Sequence, residues 1–288
     1  MSLTSENLVG YLRAEFAKSS TLRVGLFFVQ LAAAVPAAIA VLVPDQCDDV
    51  LYWLAAAGAL LLLAWWVLNG FYVRARNAAQ SARRGALLLG GLNEPLSPGE
   101  VQALRERFTV NASEATKCEK SDYYATTLPP GPARLGEMLE ESAFYSERLQ
   151  RISSYIMLGI LVLFAALFVV ITFGITPYIG HDSGKLLVRV FLALLVFAMS
   201  ADVVGAYRAH RDAAKEIRDI RQRLITADAW GYPIADVLLA LGDYNAAVES
   251  APESVPYAYA LCAKHLNQSW ADYQHDRDVR RAAQGHGE

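Results

Sequence analysis

Residues 152–180 read ISSYIMLGILVLFAALFVVITFGITPYIG, 29 positions from Ile152 to Gly180 without one charged side chain. Roughly 20 residues of α-helix cross the hydrocarbon core of a bilayer, so this stretch alone is long enough to span one. Two further stretches match it: Val24 to Pro44 is uncharged across 21 positions and Val50 to Val73 across 24. A weaker segment runs roughly from Leu186 to Tyr207, with Arg189 near its start and Asp202 near its end. Its uncharged part, Val190 to Ala201, covers only 12 positions. A buried helix of a soluble domain would account for that segment taken alone. The third span, however, needs a return path if the tail is to stay on the side of the leader. The expected fold class is therefore all-α: a four-span helical membrane protein with cytoplasmic helical extensions.

The composition agrees. The chain has 288 residues, of which 54% are hydrophobic and 19% charged, against about 25% charged in an ordinary soluble domain. Mean hydropathy is +0.24. These values argue against an ordinary soluble enzyme. Disorder is disfavoured by the apolar content and by 14 Tyr, 11 Phe and 5 Trp. Three cysteines cannot build a disulfide scaffold. A net charge of -3 gives no reason to expect a DNA or RNA polymer as partner. The low charge is concentrated in the apolar stretches, because Arg74 to Arg151 carries 11 basic and 10 acidic residues.

Short flanking segments set the expected orientation, since cytoplasmic flanks are enriched in Lys and Arg. The leader holds Arg13, Lys18 and Arg23, whereas the first inter-span loop holds Asp45, Asp48 and Asp49. The second span runs into Arg74, Arg76, Arg83 and Arg84, and the third follows Arg148 and Arg151. The fourth exits into Arg208, Arg211, Lys215, Arg218, Arg221 and Arg223. Both termini are thus expected in the cytoplasm of a multi-pass protein. The division is a cytoplasmic leader (1–23), a first transmembrane hairpin (24–73), a cytoplasmic insert (74–151), a second hairpin (152–207) and a cytoplasmic helical tail (208–288). A cleaved signal peptide does not fit the start, where Glu6 and Glu15 precede an apolar run that begins only after Arg23. On this topology Cys118 and Cys262 face a reducing compartment and Cys47 faces outward.

Helical patterning continues beyond the spans. Val73 to Leu89 is rich in Arg and Ala, with its first breaker at Gly85. Ala133 to Arg151 follows Pro132 without another proline, with Gly136 its weak point, and Leu135, Met138, Leu139, Tyr145, Leu149 and Ile152 form an apolar face. Ala213, Ile217, Ile220 and Leu224 form a stripe after the fourth span. Such stripes need partners, so these extensions should bundle. Ser97-Pro98-Gly99-Glu100 reads as a helix start for Pro98 to Phe108. Tail helices are expected from Ile234 to about Leu241 and from Tyr257 to about Arg281.

No set of residues points to catalysis. A phosphate-binding glycine loop, a His-Glu-x-x-His pair and a nucleophile elbow are all missing from the sequence. We expect no enzyme activity, no cofactor and no metal site. The informative polar residues are intramembrane: Asp202, Arg189 and Asn69. An ionisable group in a span often marks function, but Asp202 near the cytoplasmic end equally suits the interface. Arg189 can snorkel outward, and Asn69 can hydrogen-bond between helices. In the insert, Lys117, Lys120, Tyr123, Tyr124 and Arg134 lie close in sequence and would suit an anionic ligand that stacks on aromatics. An ordinary folded surface with a tyrosine core explains them as simply.

The layout resembles the four-transmembrane effectors of bacterial CBASS anti-phage systems, which are encoded beside cyclic-oligonucleotide synthases. Three features carry the resemblance. Two hairpins flank an insert of 78 residues, Arg74 to Arg151. The second span passes directly into an Arg-rich helix, Arg74 to Arg84. The insert closes with Leu139-Glu140-Glu141-Ser142-Ala143-Phe144-Tyr145, where the family often has Cys-Gln-Arg-Ser-Asn and an aromatic. Ser142 and a nearby aromatic match; Leu139, Glu140, Glu141 and Ala143 depart from the pattern. The resemblance implies an effector of the bacterial inner membrane, a homo-oligomer gated by a cyclic oligonucleotide on its cytoplasmic side, whose response permeabilises the lipid bilayer. Two other readings fit the sequence: a small constitutive channel or transporter, and a non-catalytic membrane scaffold.

Overall fold

A computed structural model describes residues 3–40, 43, 47–175 and 203–285. Every regular element among the described residues is helical, so the fold is all-α. The elements are α1 (Ser5–Ala40), α2 (Asp48–Leu92), α3 (Pro98–Arg107), α4 (Ala112–Thr116), α5 (Pro132–Val169) with a π-helical continuation (Val170–Ile175), α6 (Val203–Asp228), α7 (Ile234–Ser250) and α8 (Ala258–Gly285). Among the described residues, α1, α2 and α5 are long and apolar enough to cross a membrane. Their apolar segments expose large side chains such as Trp53, Leu60, Trp66 and Phe173. A helix that is apolar all round and unburied by protein suits lipid rather than water. The fourth expected span lies largely outside the described residues, as do Arg189 and Asp202.

Residues 1–83, 96–120 and 155–208 form one compact unit. Its polar part, among the described residues, is built on the first half of α1. Leu8, Leu12, Glu15 and Ser19 recur at helical spacing and are all buried. Gly10 lets α4 approach, because a Cβ there would stand 2.5 Å from the Ala115 carbonyl oxygen. Tyr11 stacks on Phe108 at 3.9 Å between ring centroids. The Glu15 carboxylate accepts from the Thr109 and Val110 amides at 2.5 and 2.9 Å and from the Thr109 hydroxyl at 2.6 Å. Ser97 caps α3 by accepting from the Glu100 amide at 3.3 Å. A short helix, α4, follows Asn111, which caps it in the same way.

Residues 84–95, 121–154 and 209–288 form a second unit. Its core joins Leu87 of α2, Leu135, Met138, Leu139 and Ala143 of α5, the α6 stripe Ile217, Ile220 and Leu224, and Val237, Leu241 and Tyr244 of α7. Each Leu, Ile, Val or Met side chain among them contributes roughly 1.5–3 kcal/mol by leaving water. The helix of α2 runs through Gly85, the first breaker of the sequence pattern, and ends at Leu92. Near its end Gly91 meets Leu135, whose Cβ would lie 2.6 Å from any Cβ at position 91. The α6–α7 turn places Gly231 and Tyr232 in the left-handed region, at φ 71 and 55, and tucks the Tyr232 ring into the core. The first tail helix extends past Leu241 to Ser250, because Tyr244, Ala247 and Val248 continue its buried face.

Candidate functional site

The second unit buries an unusual amount of charge, mostly on the inner face of α5. Glu137, Glu140, Glu147 and Gln150 are buried at positions spaced by about one or two helical turns. Buried charges must be paired or they cost several kcal/mol each. The pairs fall into two clusters of opposite balance.

In the first cluster, Arg277 of α8 reaches Glu137 and Glu140, each at 3.3 Å. Arg281 reaches Glu137 at 2.7 Å and Asp228 at 2.6 Å. The Tyr273 hydroxyl donates to Glu140. Three carboxylates thus face two guanidiniums. Burial pushes the Glu140 carboxyl up from its ordinary range, against the pull of Tyr273, Arg277 and Arg221. Burial and the Glu140 charge push the Tyr273 phenol up to about 12. Burial opposes the Arg281 charge, but its bonds to Asp228 and Glu137 more than offset that and hold its pKa above the usual arginine range. This cluster is acid-rich and ties α5, α6 and α8 together.

The second cluster is arginine-rich. The Glu147 carboxylate accepts from Arg151 one turn along α5, and from Arg218 Nε at 3.2 Å, while Arg221 Nη1 stands 3.5 Å away. The Arg221 guanidinium lies over the rings of Phe144 and Tyr273, 4.9 and 4.6 Å from their centroids. Arg148 lies over the same Phe144 ring at 5.3 Å. Three guanidiniums therefore face one carboxylate, and a fourth, that of Arg148, lies over the neighbouring Phe144 ring. The Nε groups of Arg148, Arg151 and Arg221 are buried and have no hydrogen-bond acceptor among the described residues. Trp270 completes the aromatic wall, 5.1 Å from Phe144 and 5.4 Å from Tyr273. The arrangement can hold a compact anion and stack a flat group beside it.

The residues singled out in the sequence fall elsewhere. Lys117 and Lys120 are exposed and belong to the first unit, whereas Tyr123, Tyr124 and Arg134 belong to the second. Tyr123 and Tyr124 meet edge to face at 4.9 Å. Arg134 donates to the Leu128 carbonyl at 2.7 Å and so braces the proline-rich turn before α5. Asn69 lies half-buried on α2. The arginine cluster was missed because its members are up to 73 residues apart, between Arg148 and Arg221. The signal available was Glu140, Phe144, Glu147 and Arg151 at helical spacing on α5. A shallow groove of about 590 Å³ between α6 and α7 is lined by Arg223, Thr226, Trp230, Asp236 and Leu239. It has no comparable charge preference, since Arg223 is paired with Asp243 at 2.5 Å. No protein-family model, curated protein or solved structure matches the chain.

Proposed function

We propose that the chain is a membrane effector of anti-phage defence in a bacterial inner membrane. On this reading it has four spans, keeps both termini in the cytoplasm, works as a homo-oligomer and permeabilises the bilayer when a cyclic nucleotide binds its cytoplasmic portion. The observation that carries the reading is the continuity of two helices. α2 and α5 are each one uninterrupted helix, and each holds a bilayer-length apolar segment followed or preceded by residues of the charge-rich second unit. A ligand acts by binding one conformation better than another. Contacts on the polar part of α5 bear directly on the helix that carries the third apolar stretch, where small shifts are readily passed along a rigid element. The basic flanks of the apolar stretches support the orientation. Recording current across planar bilayers containing the full-length protein tests the reading. Conductance that rises from baseline only after a cyclic dinucleotide is added supports it, and steady conductance without ligand favours a constitutive channel instead.

A further inference from the structure

We infer that Arg148, Arg151, Arg218 and Arg221 form a receptor for a phosphate group, with Glu147 as a built-in counter-ion that occupies the receptor until a phosphate-bearing ligand arrives. The sensing role rests on the function proposed above; the binding itself does not. Arginine is the side chain best suited to phosphate, because its planar fork donates in pairs to oxyanions and keeps its charge at every accessible pH. Here three such forks, those of Arg151, Arg218 and Arg221, converge on one buried carboxylate, and the Arg148 guanidinium lies over the Phe144 ring that Arg221 also covers. Three of their Nε donors are buried without an acceptor among the described residues. The neighbouring acid-rich cluster shows that this fold can balance arginines when it needs to: there three carboxylates meet two guanidiniums. The arginine excess around Glu147 is therefore specific to that end of the unit.

Access differs across the quartet. The Arg221 side chain is only 12% exposed, pinned between Phe144 and Tyr273, whereas Arg151 and Arg218 are 31% and 50% exposed. The two outer arginines can swing to an arriving phosphate while Arg221 holds the floor of the site. A phosphate that carries its own charge relieves the excess that Glu147 balances only in part. Two sources share this chemistry, a soluble nucleotide and an anionic lipid headgroup. Arg151 stands one residue before the uncharged stretch that starts at Ile152, a position at which basic residues meet lipid phosphates.

The experiment uses full-length protein in two arms. In the first, calorimetry measures cyclic di-AMP binding to protein in phosphatidylcholine nanodiscs. In the second, without nucleotide, native mass spectrometry counts phosphatidylglycerol retained in competition with phosphatidylcholine. Wild type, Arg218→Gln, Glu147→Gln and Arg223→Gln are compared after each is shown to keep wild-type helicity and elution; Arg151→Gln replaces Arg218→Gln if the latter does not fold. The expected pattern, in whichever arm shows binding, is about tenfold weaker binding for Arg218→Gln, about tenfold tighter binding for Glu147→Gln and no change for Arg223→Gln. That arm names the source. Absence of binding in both arms overturns the proposal, as does weaker binding in folded Glu147→Gln or equal loss in Arg223→Gln. Binding with this pattern but without any change in conductance removes the effector reading and leaves the receptor standing.

Discussion

The Tyr232 ring sits so close to the backbone of Gly136 that a Cβ on Gly136 would stand 2.3 Å from Cδ1 of the ring. Position 136 read as a weak point of the α5 helix is thus the opening that admits a buried tyrosine. Gly136→Ala should destabilise the second unit by about 1–3 kcal/mol, the usual cost of overpacking. Gly242 in α7 has nothing within 4 Å of a built Cβ, so Gly242→Ala should be neutral or stabilising by up to about 1 kcal/mol. Thermal unfolding of the two variants in the same detergent checks the contrast.

Arg277 is buried against two buried carboxylates, Glu137 and Glu140. Removing it leaves both acids short of a partner, and Arg277→Ala should cost about 3–5 kcal/mol. Arg223 and Asp243 form an ion pair at 2.5 Å that is half-exposed on both sides. Arg223→Ala should cost under about 1 kcal/mol. Denaturant titrations of both variants measure the difference.

Glu140 should give the unit a particular pH dependence. Its folded pKa is raised above the ordinary 4.5, chiefly by burial. Between those two values the folded state holds more protons than the unfolded state, so stability falls as pH rises through the window. The contribution is whole below the unfolded pKa and lost above the folded one. Glu140→Gln is uncharged throughout. The wild-type melting temperature, taken relative to Glu140→Gln, should therefore fall as pH rises above 4.5. A rising difference contradicts this account.

Glu15 secures the Thr109–Val110 strand of backbone through three hydrogen bonds from inside the first unit. Lys18 adds bonds to the Thr109 carbonyl and hydroxyl oxygens at 2.9 and 3.0 Å. Glu15→Ala should cost about 2 kcal/mol, since two half-buried amides lose a charged acceptor. Hydrogen exchange should show lost protection at the Thr109 and Val110 amides.

The helices and the apolar stretches were legible because both rest on local patterns. The Ile217, Ile220 and Leu224 stripe, the Ser97 cap and the break at Pro132 all depend on residues within a few positions of one another. The arrangement of charge was not legible. Glu137, Glu140 and Glu147 read as ordinary acids on a helix, and only the return of α6 and α8 brings Arg218, Arg221, Arg277 and Arg281 to them across 71 to 144 positions. Lys117 to Arg134 looked like a site because its cations and tyrosines are close in sequence. The structure places the two lysines in the first unit and Tyr123, Tyr124 and Arg134 in the second.

The central claim is that a cyclic nucleotide on the cytoplasmic side opens the membrane. Dye release from liposomes carrying the full-length protein tests it most directly. Release that begins on addition of a cyclic dinucleotide, saturates with its concentration and is missing from protein-free vesicles is the expected result. Measured nucleotide binding with no release, or equal release without nucleotide, would contradict it.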